Sequence, residues 1–215
     1  VVDKLIRETL KHLTPDIPII SEEGNIKEDF FLGDLYWLID PIDGTSSYLR
    51  GNQGYTINMA IICKGYPVFG IIGHPPSNTI WFAKDNKVIK RKNKQILICK
   101  KKRIDKEQIR VILSNNADNE TVSLIKKIPG VRISKCSSSL KFCMIVEGKA
   151  DLYPRLEGIS KWDIAAGDAL LRAYGGTILN DLGEEYNYQS LSSKTGKFFA
   201  LSSKSIWQST IRKLY

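Results

Sequence analysis

A strand that ends in two carboxylates constrains this chain more than any other feature. Residues 35–39 are apolar, aromatic and β-branched, as in a strand that is buried on both faces. Asp40 and Asp43 follow, with Pro41 between them. Because proline has no backbone N–H to donate, we expect the strand to end at Asp40 and the chain to turn there. Such a turn would bring both carboxylates and the Ile42 carbonyl to one side.

The residues around this turn are suited to a cation bound next to an anion. Hard oxygen ligands are those that Mg²⁺ prefers, and Gly44 lets the backbone approach a ligand closely. If a helix begins near Thr45, its free N–H groups would face the same point. The alternative is an ordinary strand-to-turn junction, since turns use Asp, Pro and Gly for conformational reasons alone. The D-P-x-D-G motif by itself does not decide between the two.

Two further acidic segments favour the metal-binding interpretation. Glu22 and Glu23 follow a short apolar strand predicted over residues 17–20, and Asp163 lies in the first turn of a predicted helix. Taken singly, the two glutamates would be solvated turn acids and Asp163 would be a helix N-cap. Acids at three separate element ends suit a site with two cations about 4 Å apart, because the repulsion between the cations must be neutralised.

Three segments of the chain together resemble the signatures of the inositol monophosphatase superfamily of Mg²⁺-dependent phosphatases. They are S-E-E at residues 21–23, W-L-I-D-P-I-D-G-T at residues 37–45 and W-D-I-A-A-G at residues 162–167. Within the superfamily, the chain is most similar to the bacterial bisphosphate nucleotidases of the CysQ type. The segments that favour this branch are residues 13–18, 138–143, 147–148 and 152–155.

The resemblance implies a site with two metal ions. One Mg²⁺ would be held by Glu22, Asp40 and the Ile42 carbonyl, and a second by Asp40, Asp43 and Asp163. A third, weaker Mg²⁺ shared with Glu22 is common in the superfamily, as is inhibition by Li⁺.

The resemblance also implies how a phosphate ester would be bound and attacked. Glu22 and the Thr45 hydroxyl would orient the attacking water. The backbone N–H groups of Gly44 and Thr45 would bind the phosphate oxygens. The residues implied to bind the substrate are Gly44, Thr45, Ser138, Ser139, Lys141, Arg155 and Asp163.

The residues implied to bind the substrate could instead have purely structural roles, and the chain differs from the branch at two positions near them. Lys141 would otherwise be a solvated helix lysine, and Ser138 or Ser139 a helix N-cap. The chain has Ser137 where the branch has a glycine, and Asn116 where the branch has a histidine beside the adenine. Asparagine can hydrogen-bond a base, but the stacking of an imidazole would be lost.

The activity implied by the resemblance is removal of the 3′-phosphate from 3′-phosphoadenosine 5′-phosphate. This reaction leaves AMP and recycles a by-product of sulfate-group transfer in sulfur metabolism. One alternative is the same chemistry on inositol phosphate or another sugar phosphate, as in sister branches. The other is a catalytically impaired, basic nucleic-acid-binding protein on a phosphatase scaffold.

Much of the positive charge of the chain lies in one basic segment. The net charge is +9, and residues 84–106 contain eleven Lys or Arg against two Asp. Such a density can bind nucleic acid by counterion release. The sequence disfavours that partner, because no aromatic side chain interleaves the basic residues as a stacking platform. We interpret the segment first as a solvated sheet edge and second as an attractor for a nucleoside bisphosphate.

The order of predicted elements gives the fold class. A helix ends at residue 13, and strands follow at residues 17–20, 35–40, 55–63, 68–73, 79–83, 87–90 and 95–99. Further strands at residues 110–113, 131–134, 150–153, 177–179 and 198–201 alternate with helices at residues 119–127, 139–147, 162–174 and 205–214. The layout predicts an α+β lobe over residues 1–102 packed on an α/β lobe over residues 103–215. The resemblance implies a layered αβαβα sandwich of the inositol monophosphatase and sugar phosphatase type.

The first residues have the pattern of the middle of a helix and not of its start. The apolar periodicity begins at Val1 with no N-cap signal before it. The superfamily has an N-terminal helix and an aspartate, pairing with the threonine equivalent to Thr45, that would align just before Val1. We therefore expect the N-terminal part of the fold to be missing from this sequence; the alternative is a short protein that is catalytically impaired.

Composition predicts a cytoplasmic location. No apolar stretch approaches the roughly 20 residues needed to cross a bilayer. The four cysteines show no C-x-x-C spacing and sit mostly in apolar context, as do the reduced thiols of cytosolic proteins. The sequence leaves a peripheral membrane association and a homodimer open.

Overall fold

The chain folds around two β-sheets with a pair of helices between them. The computed structural model describes residues 1–24, 33–105, 107–189 and 192–214. The first sheet contains β1 (Ile19–Ser21), β2 (Leu35–Asp43), β3 (Thr56–Cys63), β4 (Tyr66–His74), β5 (Thr79–Lys84), β6 (Lys87–Lys92) and β7 (Gln95–Cys99). Its strands lie in chain order, and neighbours are antiparallel except β1 and β2, which are parallel.

The second sheet is mixed. It contains β8 (Arg110–Ser114), β9 (Arg132–Cys136), β10 (Leu152–Arg155), β11 (Thr177–Asn180) and β12 (Phe198–Leu201). The strand order is β11-β12-β10-β8-β9, in which β8 is parallel to β9 and β10, and β12 is antiparallel to β10 and β11.

Six α-helices are present among the described residues. They are α1 (Val2–Leu13), α2 (Thr45–Leu49), α3 (Asn119–Lys126), α4 (Leu140–Val146), α5 (Lys161–Tyr174) and α6 (Lys204–Ser209), and short 3₁₀ helices span Pro75–Ser77 and Ile211–Leu214. None of these helices combines the length and apolar composition that crossing a bilayer requires.

The sheets and helices form five layers, which three apolar cores pack together. The central core packs Phe142 of α4 and Leu170 of α5 between Ile62 of the first sheet and Phe198 of the second. A second core lies between the outer face of the second sheet and α3 and α6. In the third, Leu10 of α1 packs on the outer face of the first sheet. The predicted αβαβα sandwich is therefore confirmed.

Two glycines let α5 approach its neighbours closely. A Cβ on Gly167 of α5 would lie 2.2 Å from Phe142 Cγ, and a Cβ on Gly70 of β4 would lie 2.5 Å from the Ala169 Cβ. Packed atoms do not come this close, so both contacts require glycine. Because α5 also carries Asp163, the same packing determines where that carboxylate lies.

The strand at the two-carboxylate segment differs from the prediction. β2 does not end at Asp40 but continues through Pro41 to Asp43. Asp40 lies opposite Asn58 and Asp43 opposite Thr56, so β2 has one residue more than β3 between these pairs. This is a β-bulge, and a bulge tolerates a residue that has no N–H to donate.

Two other predicted boundaries are wrong for local backbone reasons. The hairpin turn predicted over residues 64–67 contains only Lys64 and Gly65, with φ of 49° and 79°, and β4 starts at Tyr66. A two-residue turn with positive φ suits the twist of paired strands. The helix predicted over residues 205–214 is divided, because α6 ends at Ser209 and a 3₁₀ helix begins at Ile211.

We predict that Gly167→Ala lowers the free energy of unfolding by about 1–3 kcal/mol, because the new methyl group overlaps the Phe142 ring. Urea denaturation measures the change. Gly196→Ala is the matched control, since a Cβ at Gly196 meets no heavy atom within 4 Å. Equal unfolding free energies for the two variants would contradict the close-packing argument.

Candidate active site

Four carboxylates from three parts of the chain lie together at the end of β1 and β2. Glu22 directly follows β1, Asp40 and Asp43 lie on either side of the bulge in β2, and Asp163 is the third residue of α5. The Glu22 N–H donates to the Ile39 carbonyl at 3.1 Å, which continues the parallel pairing and sets Glu22 beside Asp40. We call Glu22, Asp40, Asp43 and Asp163 the carboxylate cluster.

The pKa values of two members show that the four charges act on one another. Asp40 is 1% exposed, and its burial, followed by the charges of Asp43, Glu22 and Asp163, raises its pKa to about 10. Burial, followed by the charge of Asp43, raises the pKa of Asp163 to about 7. Such repulsion falls with distance, so Glu22, Asp43 and Asp163 all lie near Asp40.

Two short-range hydrogen bonds close the segment between Asp40 and Thr45. The Ile42 N–H donates to Asp40 Oδ1 at 3.0 Å, and the Thr45 hydroxyl donates to the Ile42 carbonyl at 3.0 Å. Gly44 has a φ of 87°, a left-handed conformation that glycine adopts readily, and α2 begins directly after it at Thr45. The helix start that was predicted conditionally near Thr45 is therefore present.

Asp163 takes part in a capping box at the start of α5. Ser160 occupies the N-cap position, and its N–H donates to Asp163 Oδ2 at 3.1 Å. The alternative interpretation of Asp163 as the N-cap itself is therefore wrong. The capping bond uses only one carboxylate oxygen of Asp163.

Asp43 is held through one of its two oxygens. Oδ2 accepts hydrogen bonds from the Ser139 hydroxyl at 2.7 Å, the Asn58 side-chain amide at 3.2 Å and the Thr56 hydroxyl at 3.3 Å. Sequence reasoning did not single out Asn58 or Thr56. The available signal was two polar residues inside an otherwise apolar strand, since buried polar groups require partners.

The donor chemistry of the carboxylate cluster fits a hard divalent cation, because carboxylate and carbonyl oxygens are the ligands that Mg²⁺ prefers. The ion pairs in the described part of the chain use other carboxylates, such as Glu147 and Asp151. Within the described residues, no three Asp, Glu, His or Cys side chains converge as the ligand set of one ion. The ligand set of Glu22, Asp40, Ile42, Asp43 and Asp163 therefore stays a prediction.

A cavity of about 480 Å³ opens beside the carboxylate cluster. This volume lies within the range that is typical of small-molecule pockets. All the residues predicted to bind the substrate line it, namely Gly44, Thr45, Ser138, Ser139, Lys141, Arg155 and Asp163. Asp43 also lines the cavity, whereas the described residues Glu22, Asp40 and Ile42 do not.

Lys141 is a buried cavity residue. Its side chain is 6% exposed, its Nζ donates to the Ser138 carbonyl at 2.5 Å, and Nζ lies 5.0 Å from the ring centroid of Tyr153. The alternative interpretation of Lys141 as a solvated helix lysine is therefore wrong. Ser139 does occupy the N-cap position of α4, but its hydroxyl makes no capping hydrogen bond.

Other residues of the cavity wall are also held by hydrogen bonds. Arg155 donates from Nη1 to the Ser114 hydroxyl at 3.0 Å. Ser137, which stands where the branch has a glycine, accepts from the Asn115 side-chain amide at 2.8 Å. Asn116, which stands where the branch has a histidine, lines the same cavity.

The basic segment lies in strands and turns at one side of the first sheet, but the edge strand β7 itself carries no Lys or Arg, so the predicted sheet edge is wrong for the strand residues. Its residues lie mainly on β6, in the turn before the edge strand β7, and in the chain after β7. Lys90 donates to Glu147 at 2.5 Å and Lys101 to the Gly175 carbonyl at 2.6 Å. Lys106, also part of this segment, lies outside the described residues.

Comparison with known proteins finds phosphatases that are similar to this chain. The model of the inositol monophosphatase family matches residues 1–210. The 3′(2′),5′-bisphosphate nucleotidase CysQ of Salmonella typhimurium is 34% identical over 191 residues, which are 86% of this chain and 75% of that protein. The same enzyme of Buchnera aphidicola is 36% identical over 197 residues, covering 89% and 72%.

A similar solved structure is that of CysQ from Bacteroides thetaiotaomicron. It superposes with a TM-score of 0.81 at 26% identity, and the match covers 93% of this chain and 83% of that chain. An inositol monophosphatase from Thermotoga maritima has the same fold, with a TM-score of 0.74 at 22% identity over 99% of this chain and 82% of that chain.

We predict that the metal-free protein loses stability as the pH rises. The pKa values of Asp40 and Asp163 are raised, to about 10 and about 7, so the folded state keeps protons that the unfolded chain releases near pH 4. The stabilising contribution of these protons is complete below about pH 4. It is lost as the pH rises through about 7 for Asp163 and about 10 for Asp40.

Asp40→Asn isolates this effect, because the amide has the same shape without the titrating proton. Urea denaturation with a chelator from pH 5 to pH 10 should show a shallower decline for Asp40→Asn, by at most about 1.4 kcal/mol per pH unit. Glu23→Gln serves as the control for a neighbouring exposed acid. Parallel pH profiles for wild type and Asp40→Asn would contradict the raised pKa.

Proposed function

Because the chain belongs to the inositol monophosphatase family, as the sequence resemblance predicted, we propose that it is a Mg²⁺-dependent 3′(2′),5′-bisphosphate nucleotidase. It would remove the 3′-phosphate of 3′-phosphoadenosine 5′-phosphate and leave AMP and phosphate. Phosphatase chemistry follows from the family and from relatives that are 34% and 36% identical. The substrate, the metal and the roles of individual residues are the proposal.

The observation that carries the proposal is the charge distribution of the cavity wall. Asp43 and Asp163 line the same cavity as the cations Lys141 and Arg155. Acids suit the metal ions that activate one phosphate, and cations suit further negative charge on the substrate. A nucleoside bisphosphate requires both.

Four side chains and one carbonyl would hold the metal ions. Glu22, Asp40 and the Ile42 carbonyl would bind one Mg²⁺, and Asp40, Asp43 and Asp163 would bind a second. Bound Mg²⁺ supplies a water of lowered pKa and neutralises charge on the phosphate. The fit is supported by the mutual repulsion within the carboxylate cluster, which cations would relieve.

The remaining roles belong to groups of the chain itself. Glu22 and the Thr45 hydroxyl would orient the attacking water. The backbone N–H groups of Gly44 and Thr45 would bind phosphate oxygens, supported by the position of both residues in the cavity wall. Ser138 contributes a buried hydroxyl that has no hydrogen-bond partner among the described residues and is therefore available to a ligand.

Lys141 and Arg155 would bind the second phosphate and the ribose side of the nucleotide, with Asn116 beside the base. A cytoplasmic location and a homodimer remain predictions that accompany this function. The two alternative functions, hydrolysis of an inositol or sugar phosphate and binding of nucleic acid, become outcomes of its test.

The test compares phosphate release from 3′-phosphoadenosine 5′-phosphate and from inositol 1-phosphate, both with Mg²⁺. We predict faster release from the bisphosphate. Asp163→Asn, which removes one charge from the second metal position, should lower turnover by orders of magnitude in a folded protein. Equal or greater release from the inositol ester would contradict the proposal that the substrate is a nucleoside bisphosphate. Salt-sensitive binding of arbitrary DNA without hydrolysis of either ester would contradict the proposal that the protein is an enzyme.

Lys141→Met tests the substrate contact. Methionine keeps the packing on Tyr153 and removes the charge. We predict a KM for the bisphosphate that rises about tenfold or more, because a hydrogen bond to a charged group is lost. The KM for a nucleoside monophosphate should rise less. Lys126→Met on the exposed end of α3 is the control, and equal effects of Lys141→Met on both substrates would contradict the contact.

A further inference from the structure

A buried amide side chain lies in the mainly apolar strand β3. Asn58 is 1% exposed and lies directly opposite Asp40 in the paired strands β2 and β3. Ile57, Met59 and Ala60 around it are apolar. A buried amide is unfavourable unless its polar atoms find partners, so its hydrogen bonds indicate why it is there.

Both hydrogen bonds of the Asn58 amide lead to the carboxylate cluster. Its Nδ2 donates to Ser139 Oγ at 2.8 Å and to Asp43 Oδ2 at 3.2 Å. The Ser139 hydroxyl in turn lies 2.7 Å from Asp43 Oδ2 and 2.8 Å from the Asp163 carbonyl. Ser139 is also 1% exposed, so this network is shielded from solvent.

The chemistry of these groups determines the direction of the network. An amide NH₂ only donates and a carboxylate only accepts, so Asn58 must present Nδ2 to Asp43. The hydroxyl of Ser139 therefore accepts from Asn58 and donates its single proton to Asp43 or to the Asp163 carbonyl. The three hydrogen bonds to the Asp43 carboxylate, from Thr56, Asn58 and Ser139, all reach Oδ2, and none of them uses Oδ1.

We propose that Asn58 and Ser139 are positioning residues that hold Asp43 by Oδ2 and so present Oδ1 to a divalent cation. The inference rests on the proposed function, which assigns Asp43 to the second Mg²⁺. It gives Ser139 a role on Asp43 in place of the predicted substrate contact, because its hydroxyl is already engaged. A carboxylate that is fixed in this way loses less rotational freedom when it binds a metal.

A second observation is that the network leaves one acceptor unsatisfied. Asn58 Oδ1 is buried and has no hydrogen-bond partner among the described residues. Because Nδ2 is fixed on Asp43 and Ser139, the amide cannot rotate to satisfy this oxygen elsewhere. A water bound to a cation within the carboxylate cluster is a donor of the kind that Asn58 Oδ1 lacks.

The test measures Mg²⁺ binding by calorimetry, apart from any turnover. Ser139→Ala and Asn58→Ala each remove donors to Oδ2, and we expect each to raise the Kd for Mg²⁺ about 10- to 100-fold. Ser139→Thr keeps the hydroxyl and should restore binding. The Kd for Mg²⁺ of the double variant should rise by less than the product of the two single fold-increases, because both side chains act on one oxygen. In turnover, the Mg²⁺ requirement should rise while the KM for the bisphosphate stays unchanged.

Ser202→Ala is the matched control, since Ser202 is buried and its hydroxyl has no partner among the described residues. If Asn58→Ala fails to fold, Ser139→Ala carries the test. Normal Mg²⁺ binding by wild type and by folded Ser139→Ala would overturn the inference alone, as would an equal loss in Ser202→Ala. Absence of Mg²⁺ binding by wild type would overturn the proposed function, and the inference with it.

Discussion

Repulsion between four carboxylates is the constraint on which the rest of this structure depends. The parallel pairing of β1 with β2 sets Glu22 beside Asp40, and the bulge in β2 carries Asp43 past it. The close contact of Gly167 with α4 fixes the helix that carries Asp163. The layers of the sandwich therefore hold together charges that would otherwise separate, and they supply the free energy that this costs.

The same constraint explains why the cavity has two chemical characters. Near Asp43 and Asp163 it offers oxygens to a cation, and near Lys141 and Arg155 it offers cations to an anion. A phosphate ester in this cavity would be activated by cations held near Asp43 and Asp163, and its further negative charge would be bound by Lys141 and Arg155. The buried amide of Asn58 supports this arrangement, because its Nδ2 donates hydrogen bonds to Asp43 in the cavity wall and to Ser139.

Local patterns in the sequence predicted nearly all the elements, since strand and helix periodicities are properties of short segments, whereas the residues of the cavity were expected from the resemblance to the superfamily. The bulge at Pro41 was not predicted, because it depends on the register against β3. The link from Ser139 to Asp43 joins residues 96 positions apart and leaves no local pattern. Burial of Lys141 likewise depends on layers that only the folded chain brings together.

Anomalous scattering from crystals soaked with Mn²⁺ tests the central claim most directly, because it locates cations without reference to any substrate. The account predicts two peaks about 4 Å apart, both in contact with Asp40, one near Glu22 and the Ile42 carbonyl and the other near Asp43 and Asp163. Crystals that bind Mn²⁺ only elsewhere, or that leave the four carboxylates without a peak at saturating metal, would contradict it.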